Sequence, residues 1–116
     1  MFTITKQFSF SASHILEGLP EGHPCGRMHG HNYVIEVELA GPLNPVGFVV
    51  DYNDLKPIQE WIDITIDHRH LNNVLAGNPT AEHLAAHLYE TFRPRFPTLV
   101  AVRVSETPKT WAEYRP

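Results

Sequence analysis

Apolar and polar residues alternate through the first part of the chain. The even positions from Phe2 to His14 are apolar apart from Lys6, and histidine closes the series. Residues 31–40 alternate in the same way, with the apolar side chains on odd positions. A period of two is typical of a half-buried β-strand. We therefore predict two strands, over residues 2–14 and 31–40.

The segment between these strands, residues 15–28, is predicted to be a loop. Glycine and proline recur through it, as Gly18, Pro20, Gly22, Pro24 and Gly26. This density of breakers excludes a regular element. Loops of this length often carry functional residues.

Two helices and two further strands are predicted in the rest of the chain. Apolar residues recur at helical spacing from near Asn53 to Ile66, and again after Thr80, which can cap a helix running through Arg93. Alternation resumes over residues 99–106 and 110–115.

The resulting order, ββααββ, predicts an α+β fold. An antiparallel four-stranded sheet would be covered on one face by the two helices. With 116 residues, the chain is expected to form a single domain over residues 1–116.

Composition narrows the class of protein. Apolar residues make up 42% of the chain, charged residues 19%, and the formal net charge is −4, which argues against a general nucleic-acid or membrane binder. One cysteine cannot close an internal disulfide and suits a reducing cytoplasm. No basic region followed by an apolar run opens the chain, and no apolar stretch reaches about 18 residues. We expect a cytoplasmic protein.

Three of the eight histidines point to a metal site. His14 ends the apolar face of the first strand, and His29 and His31 share odd parity with the apolar face of the second. Antiparallel pairing would bring all three to one end of the sheet. Three neutral imidazoles with an open fourth position form a catalytic zinc geometry. The alternative is a set of partly buried histidines bonded to the backbone.

Other residues could carry chemistry. Glu106 closes the apolar face of its strand, so its carboxylate needs either an arginine, such as Arg103 or Arg115, or a ligand with two parallel N–H donors. Asp67 and His68 are either a helix C-terminal pair or proton-transfer groups.

Four motifs in order along the chain resemble those of the tetrahydropterin synthases. They are Glu-Gly-His-Pro-Cys-Gly-Arg-Met-His-Gly-His-Asn-Tyr at 21–33, Asp-His-Arg-His-Leu-Asn at 67–72, Asn-Pro-Thr-Ala-Glu at 78–82 and Ser-Glu-Thr at 105–107. The spacing Cys-x₃-His-x-His resembles the bacterial 6-carboxy-5,6,7,8-tetrahydropterin synthases of queuosine biosynthesis. In the 6-pyruvoyl-tetrahydropterin synthases, the alternative, that gap is typically longer.

The resemblance implies roles for individual residues. The three histidines would hold Zn²⁺, and Cys25 would be the general base. Asp67 and His68 would complete a proton relay. Glu106 would anchor the pterin ring, with Thr80 near it. Ala81 departs from the family, whose members often carry a hydroxyl there.

The resemblance also implies a fold, a reaction and an assembly. The tunnelling fold (T-fold) of the family agrees with the ββααββ order. The implied reaction converts 7,8-dihydroneopterin triphosphate to 6-carboxytetrahydropterin with loss of acetaldehyde and triphosphate. The family implies a homo-oligomer with active sites between subunits. Arg27, Lys109 and Arg115 are candidates for the triphosphate.

Two other classes of protein remain open on the residues alone. A zinc hydrolase would use the same three histidines to activate water, but it has no evident need for Cys25. A non-enzymatic metal-binding module would bind no pterin tightly.

Overall fold

Two long antiparallel strands form the centre of the fold in the computed structural model, which describes residues 1–116. β1 spans Phe2–His14 and β2 spans His29–Gly41. They pair in continuous register, from Phe2 opposite Gly41 to His14 opposite His29. Both predicted strands are confirmed, and their pairing brings the histidine-bearing ends together.

Three shorter strands complete the sheet. β3 is Arg69–His70, β4 is Leu99–Thr107 and β5 is Thr110–Tyr114. The order across the sheet is β3-β1-β2-β4-β5. β4 and β5 pair antiparallel, whereas β3 lies parallel to β1. The predicted four-stranded antiparallel sheet is therefore wrong by one strand, because the sheet is mixed and has five.

The additional strand arises from backbone docking at the edge of β1. The Asp67 carboxylate accepts a hydrogen bond from Ser11 N at 3.0 Å, and His68 N donates to Ser11 O at 2.6 Å. His68 adopts a φ of 56°, in the left-handed region that few non-glycine residues enter. The chain is thereby turned alongside β1. Two residues are too few to show alternation, so no sequence pattern predicts this strand.

Both helices lie on one face of the sheet. α1 is Lys56–Thr65, preceded by a 3₁₀ turn at Tyr52–Leu55, and α2 is Ala81–Phe92. The Thr80 side chain caps α2 by accepting from His83 N at 3.1 Å. Both predicted helices are confirmed. Neither helix has the length and apolar content that a membrane span requires.

The core lies between the helices and the even positions of β1 and odd positions of β2. Phe10 stacks on Tyr33 with ring centroids 4.7 Å apart. One cluster of buried apolar side chains joins both helices to the sheet. The alternation in the sequence therefore predicts the buried face correctly.

A β-bulge changes the parity of β4. Leu39 is opposite Leu99 and Glu38 is opposite Ala101, which leaves Val100 without a partner. The extra residue shifts which side chains face inward, so Val100 is only half-buried. In a regular strand Val100 would lie on the same face as Val102 and Val104, and the bulge removes it from that face.

An ionic network covers the other face of the sheet. Arg103 pairs with Glu36, Glu38 and Glu113, and Arg115 pairs with Glu38 and Glu113. Hydrogen bonds from Arg115 and Arg103 lower the pKa of Glu38. Ion pairs that keep some contact with water contribute little individually, but in a shared network fewer side chains have to be ordered for each pair formed. The guanidinium groups of both arginines are thus occupied by ion pairs on this face of the sheet.

Candidate metal centre and active site

Three histidine side chains meet at the paired ends of β1 and β2. His14 is fully buried, and His29 and His31 are partly buried. One ring nitrogen from each lies within 4.8 Å of the others. The strand register explains the cluster, because His14 pairs with His29, and His31 is two residues further along the same face.

The hydrogen bonds of two histidines determine which ring nitrogen carries a proton. His14 Nδ1 lies 2.8 Å from the carbonyl oxygen of Pro79, and His29 Nδ1 lies 2.6 Å from that of Arg27. A carbonyl oxygen only accepts, so each Nδ1 is protonated and each Nε2 has a free lone pair. The two Nε2 atoms are 2.9 Å apart. Two lone pairs at this distance repel one another, whereas a cation would bind both.

The third histidine, His31, also has a ring nitrogen that is free to bind a metal. His31 Nε2 is buried and has no hydrogen-bond partner. Burial lowers the pKa of His31; Glu106 opposes this effect, and the nearby His14 and His29 add to it. The neutral imidazole is the form that binds a metal. The cluster therefore fits a divalent cation, and its all-imidazole donor set suits a transition metal.

Glu106 borders the histidine cluster. Its Oε2 lies 3.7 Å from His31 Nε2, and it forms no ion pair with an arginine. The interpretation of Glu106 as the partner of Arg103 or Arg115 is therefore wrong, because both arginines bind carboxylates on the opposite face.

A pocket of about 290 Å³ opens beside this carboxylate. It lies between β4, β5 and the beginning of α2, and its lining is formed by Ala81, Glu82, Val104, Glu106, Thr110, Trp111 and Ala112. Thr80 is not part of this lining, since its hydroxyl caps α2. A ligand in the pocket would have a carboxylate on one side, and that carboxylate also borders the histidine cluster.

Tyr33 supports the cluster from the core, which the sequence analysis missed. Its hydroxyl lies 3.3 Å from His14 Nδ1. Burial, and to a lesser extent the Glu106 carboxylate, raise the pKa of Tyr33 well above its ordinary value. The phenol therefore stays neutral. Its odd parity with His29 and His31 is the signal that could have identified it.

Cys25 lies in a 3₁₀ turn, Pro24–Gly26, within the loop between β1 and β2. Its N–H donates to His23 Nδ1 at 3.0 Å, and its carbonyl accepts from Leu16 N at 3.1 Å. The residue is half-buried. The thiol forms no hydrogen bond to the histidine cluster.

Asp67 and His68 contact each other at the edge of β1. His68 Nδ1 lies 3.0 Å from Asp67 Oδ1, and the His68 side chain is 82% exposed. The Ser11 N–H, and after it His68, lower the pKa of Asp67. A groove of about 470 Å³ beside them is lined partly by Ser11 and Ser13, which alternate with the core-facing residues of β1. Neither Asp67 nor His68 forms a hydrogen bond or ion pair with the cluster or with Cys25.

The family comparison agrees with these features. The family model described as 6-pyruvoyl tetrahydropterin synthase matches residues 3–116. A relative from Archaeoglobus fulgidus, named provisionally as a 6-carboxy-5,6,7,8-tetrahydropterin synthase, is 36% identical over 92% of this chain and 90% of its own length. A Haemophilus influenzae relative with that name is 30% identical over 99% of each chain.

A solved structure has the same fold. The Caenorhabditis elegans 6-pyruvoyl tetrahydropterin synthase superposes with a TM-score of 0.87 and is 31% identical, covering 99% of this chain and 95% of that chain. The T-fold expected from the sequence is confirmed by this likeness.

Replacing His29 with alanine should lower the bound metal sharply, because two imidazoles leave a divalent ion short of ligands. Metal content of the purified protein, measured by atomic emission, checks this expectation. His87→Ala is the matched control, since His87 packs against Trp61 outside the cluster. Full metal content in His29→Ala would remove this residue from the ligand set.

Proposed function

This chain belongs to the 6-pyruvoyl tetrahydropterin synthase family, and on that premise we propose that it is a zinc-dependent lyase acting on 7,8-dihydroneopterin triphosphate. The proposed products are 6-carboxy-5,6,7,8-tetrahydropterin, acetaldehyde and triphosphate, with consumption of water, in queuosine biosynthesis. The observation that carries the proposal is the contact of Glu106 with the histidine cluster, at 3.7 Å from His31. In this proposal Glu106 would anchor a ring beside the metal that the histidines would hold.

In this proposal His14, His29 and His31 hold Zn²⁺ through their Nε2 atoms. The Pro79 and Arg27 carbonyls keep two of the rings in the tautomer that binds metal. Zinc bound there would act as a Lewis acid toward the hydroxyl groups of the substrate side chain.

Glu106 would bind the pterin ring. An ionised carboxylate accepts two parallel N–H bonds, and the amidine-like edge of a pterin offers that pair. The pocket beside Glu106 would hold the ring between Val104 and Trp111. The substrate side chain would then extend toward the histidines. Thr80 would lie near the ring, because the next residue, Ala81, lines the pocket.

Cys25 would remove a proton from the carbon next to the ring. The thiolate is the reactive form of cysteine, and nearby positive charge favours it. Asp67 and His68 would complete the proton relay. Hydrogen bonding keeps Asp67 ionised, so its carboxylate would orient the His68 ring, whose Nδ1 lies 3.0 Å away.

The relay requires a second copy of the chain. Within one chain Asp67 and His68 make no bond to the cluster or to Cys25, and they lie at the edge of β1. From Phe2 to Ser11 that edge has no strand beside it. We propose a cytoplasmic homo-oligomer of single-domain subunits with active sites at its interfaces, where Asp67 and His68 of one copy face Cys25 of another.

The product from 7,8-dihydroneopterin triphosphate tests the function. Chromatography with mass detection should show 6-carboxytetrahydropterin and acetaldehyde. The alternative is 6-pyruvoyl-tetrahydropterin, which the name of the C. elegans structure favours. If the zinc-loaded protein formed neither product, both synthase activities would be contradicted, and the hypothesis of a non-enzymatic metal-binding module would remain.

Glu106→Gln should weaken pterin binding by several kcal/mol, given about 1.5–3 kcal/mol for each hydrogen bond to a charged group. The substitution keeps the shape but turns one oxygen into a donor that faces the donor of the ligand. Titration of ring absorbance measures the affinity, and Glu90→Gln, an exposed carboxylate on α2, is the control. Equal affinity in Glu106→Gln and native protein would return Glu106 to a structural role.

Cys25→Ala should keep zinc and fold but lose turnover by about 10²–10⁴-fold, the usual contribution of a general base. Turnover and zinc content are measured on the same preparation. Zinc loss in parallel with activity would instead make Cys25 a ligand, and near-normal turnover with full zinc would exclude it as the base.

The same variant tests the shared site. Co-expression of Cys25→Ala with an inactive His68→Ala chain should restore part of the turnover, because some interfaces then combine an intact Cys25 with an intact His68. Mixed oligomers without any activity would contradict a site shared between copies.

A further inference from the structure

The loop between β1 and β2 is attached to the rest of the chain by few side chains. Within residues 15–28 the backbone bonds are internal, such as Gly26 N to the His23 carbonyl. The hydrogen bonds that leave the loop involve only the side chains of Asn72, Asn78 and His29. The proposed base therefore sits on a segment whose hydrogen bonds to the rest of the chain all come from these three side chains.

The two asparagines bind the loop in the same way. Asn72 Oδ1 accepts from Ile15 N and its Nδ2 donates to Ile15 O, both at 2.9 Å. Asn78 repeats this pattern on Glu17, with both distances 2.8 Å. Each side-chain amide thus pairs with a whole backbone residue, as a neighbouring strand would. The paired bonds also fix the amide orientation, because a flipped amide would place donor against donor.

Between the two clamped residues, the chain turns its other edge toward Cys25. In an extended segment, successive N–H groups point to opposite sides. Ile15 and Glu17 face the asparagines, and Leu16 N faces away and donates to the carbonyl of Cys25 at 3.1 Å. The short segment from Ile15 to Glu17 is therefore held on one side and holds the cysteine on the other.

From this arrangement we propose that Asn72 and Asn78 are positioning residues that set the place of Cys25. The proposal rests on the proposed function, in which Cys25 is the base. Catalysis depends steeply on such placement, since a misplacement of about 1 Å can cost about 10²-fold in rate. Neither asparagine lies in the pocket beside Glu106, so both act through the loop and not on the pterin ring.

The informative substitution is Asn78→Asp. It keeps the size and the acceptor, but it removes the donor and places a charged oxygen against the carbonyl of Glu17. Asn72→Asp makes the same change at Ile15. Asn73→Asp is the matched control, because Asn73 is exposed and its side chain forms no hydrogen bond.

Two measurements separate positioning from general destabilisation. In Asn78→Asp, kcat should fall about tenfold or more while KM and zinc content stay within about twofold. Alkylation by iodoacetamide reports only Cys25, the single cysteine; it should become about threefold faster or more, since a loosened loop exposes the thiol. Asn73→Asp should match the native protein in both. Circular dichroism confirms that each variant is folded, and should Asn72→Asp fail to fold, Asn78→Asp alone decides the test.

Native alkylation rate and native kcat in folded Asn78→Asp would overturn the positioning role. A parallel loss of zinc, or a rise in KM without a fall in kcat, would also overturn it, because the asparagine would then act on the metal or on binding. Absence of pterin turnover in the native protein would contradict the proposed function instead. The alkylation rates would still decide whether the asparagines hold Cys25.

Discussion

The pairing register of β1 and β2 is the constraint on which the rest of the structure depends. His14 opposite His29 and Ala12 opposite His31 place three imidazoles on the face that also carries Phe10 and Tyr33. Because side chains alternate strictly along a strand, a slip of one residue would move the histidines and the core together to the wrong face. The register that packs the interior therefore also holds the three histidines of the candidate metal centre together.

The immediate surroundings of the cluster come from segments far apart in sequence. Pro79 orients His14 from the turn before α2, and Arg27 orients His29 from the loop before β2. Glu106 brings a carboxylate from β4 to the edge of the three histidine rings, where it would favour a bound cation over a water molecule. Two connecting segments and the end of β4 thus converge on one site, and the sheet supplies the rigid base that aligns them.

The sequence predicts those parts of the molecule that follow a period. The parity of His14, His29 and His31 identified the cluster because strand geometry leaves no freedom in which face a residue occupies. The strand at Arg69–His70 was missed because it has no period and depends on two hydrogen bonds between Ser11 and residues 67 and 68. The bonds from Asn72 and Asn78 were also beyond prediction, since a side-chain amide pairing with a distant backbone leaves no pattern in composition or spacing. In β4, the bulge at Val100 interrupts the alternation of inward and outward side chains that the sequence predicts for residues 99–106.

Lys6 interrupts the apolar face of β1, and it lies on the part of the edge that β3 leaves open. A lysine on an unpaired edge strand discourages random pairing with other chains, because its ammonium group must lose water whenever another backbone docks there. Any ordered neighbour along this edge has to provide a carboxylate or a solvent channel for that group. The residue that interrupts the apolar pattern therefore disfavours unspecific strand pairing along this open edge.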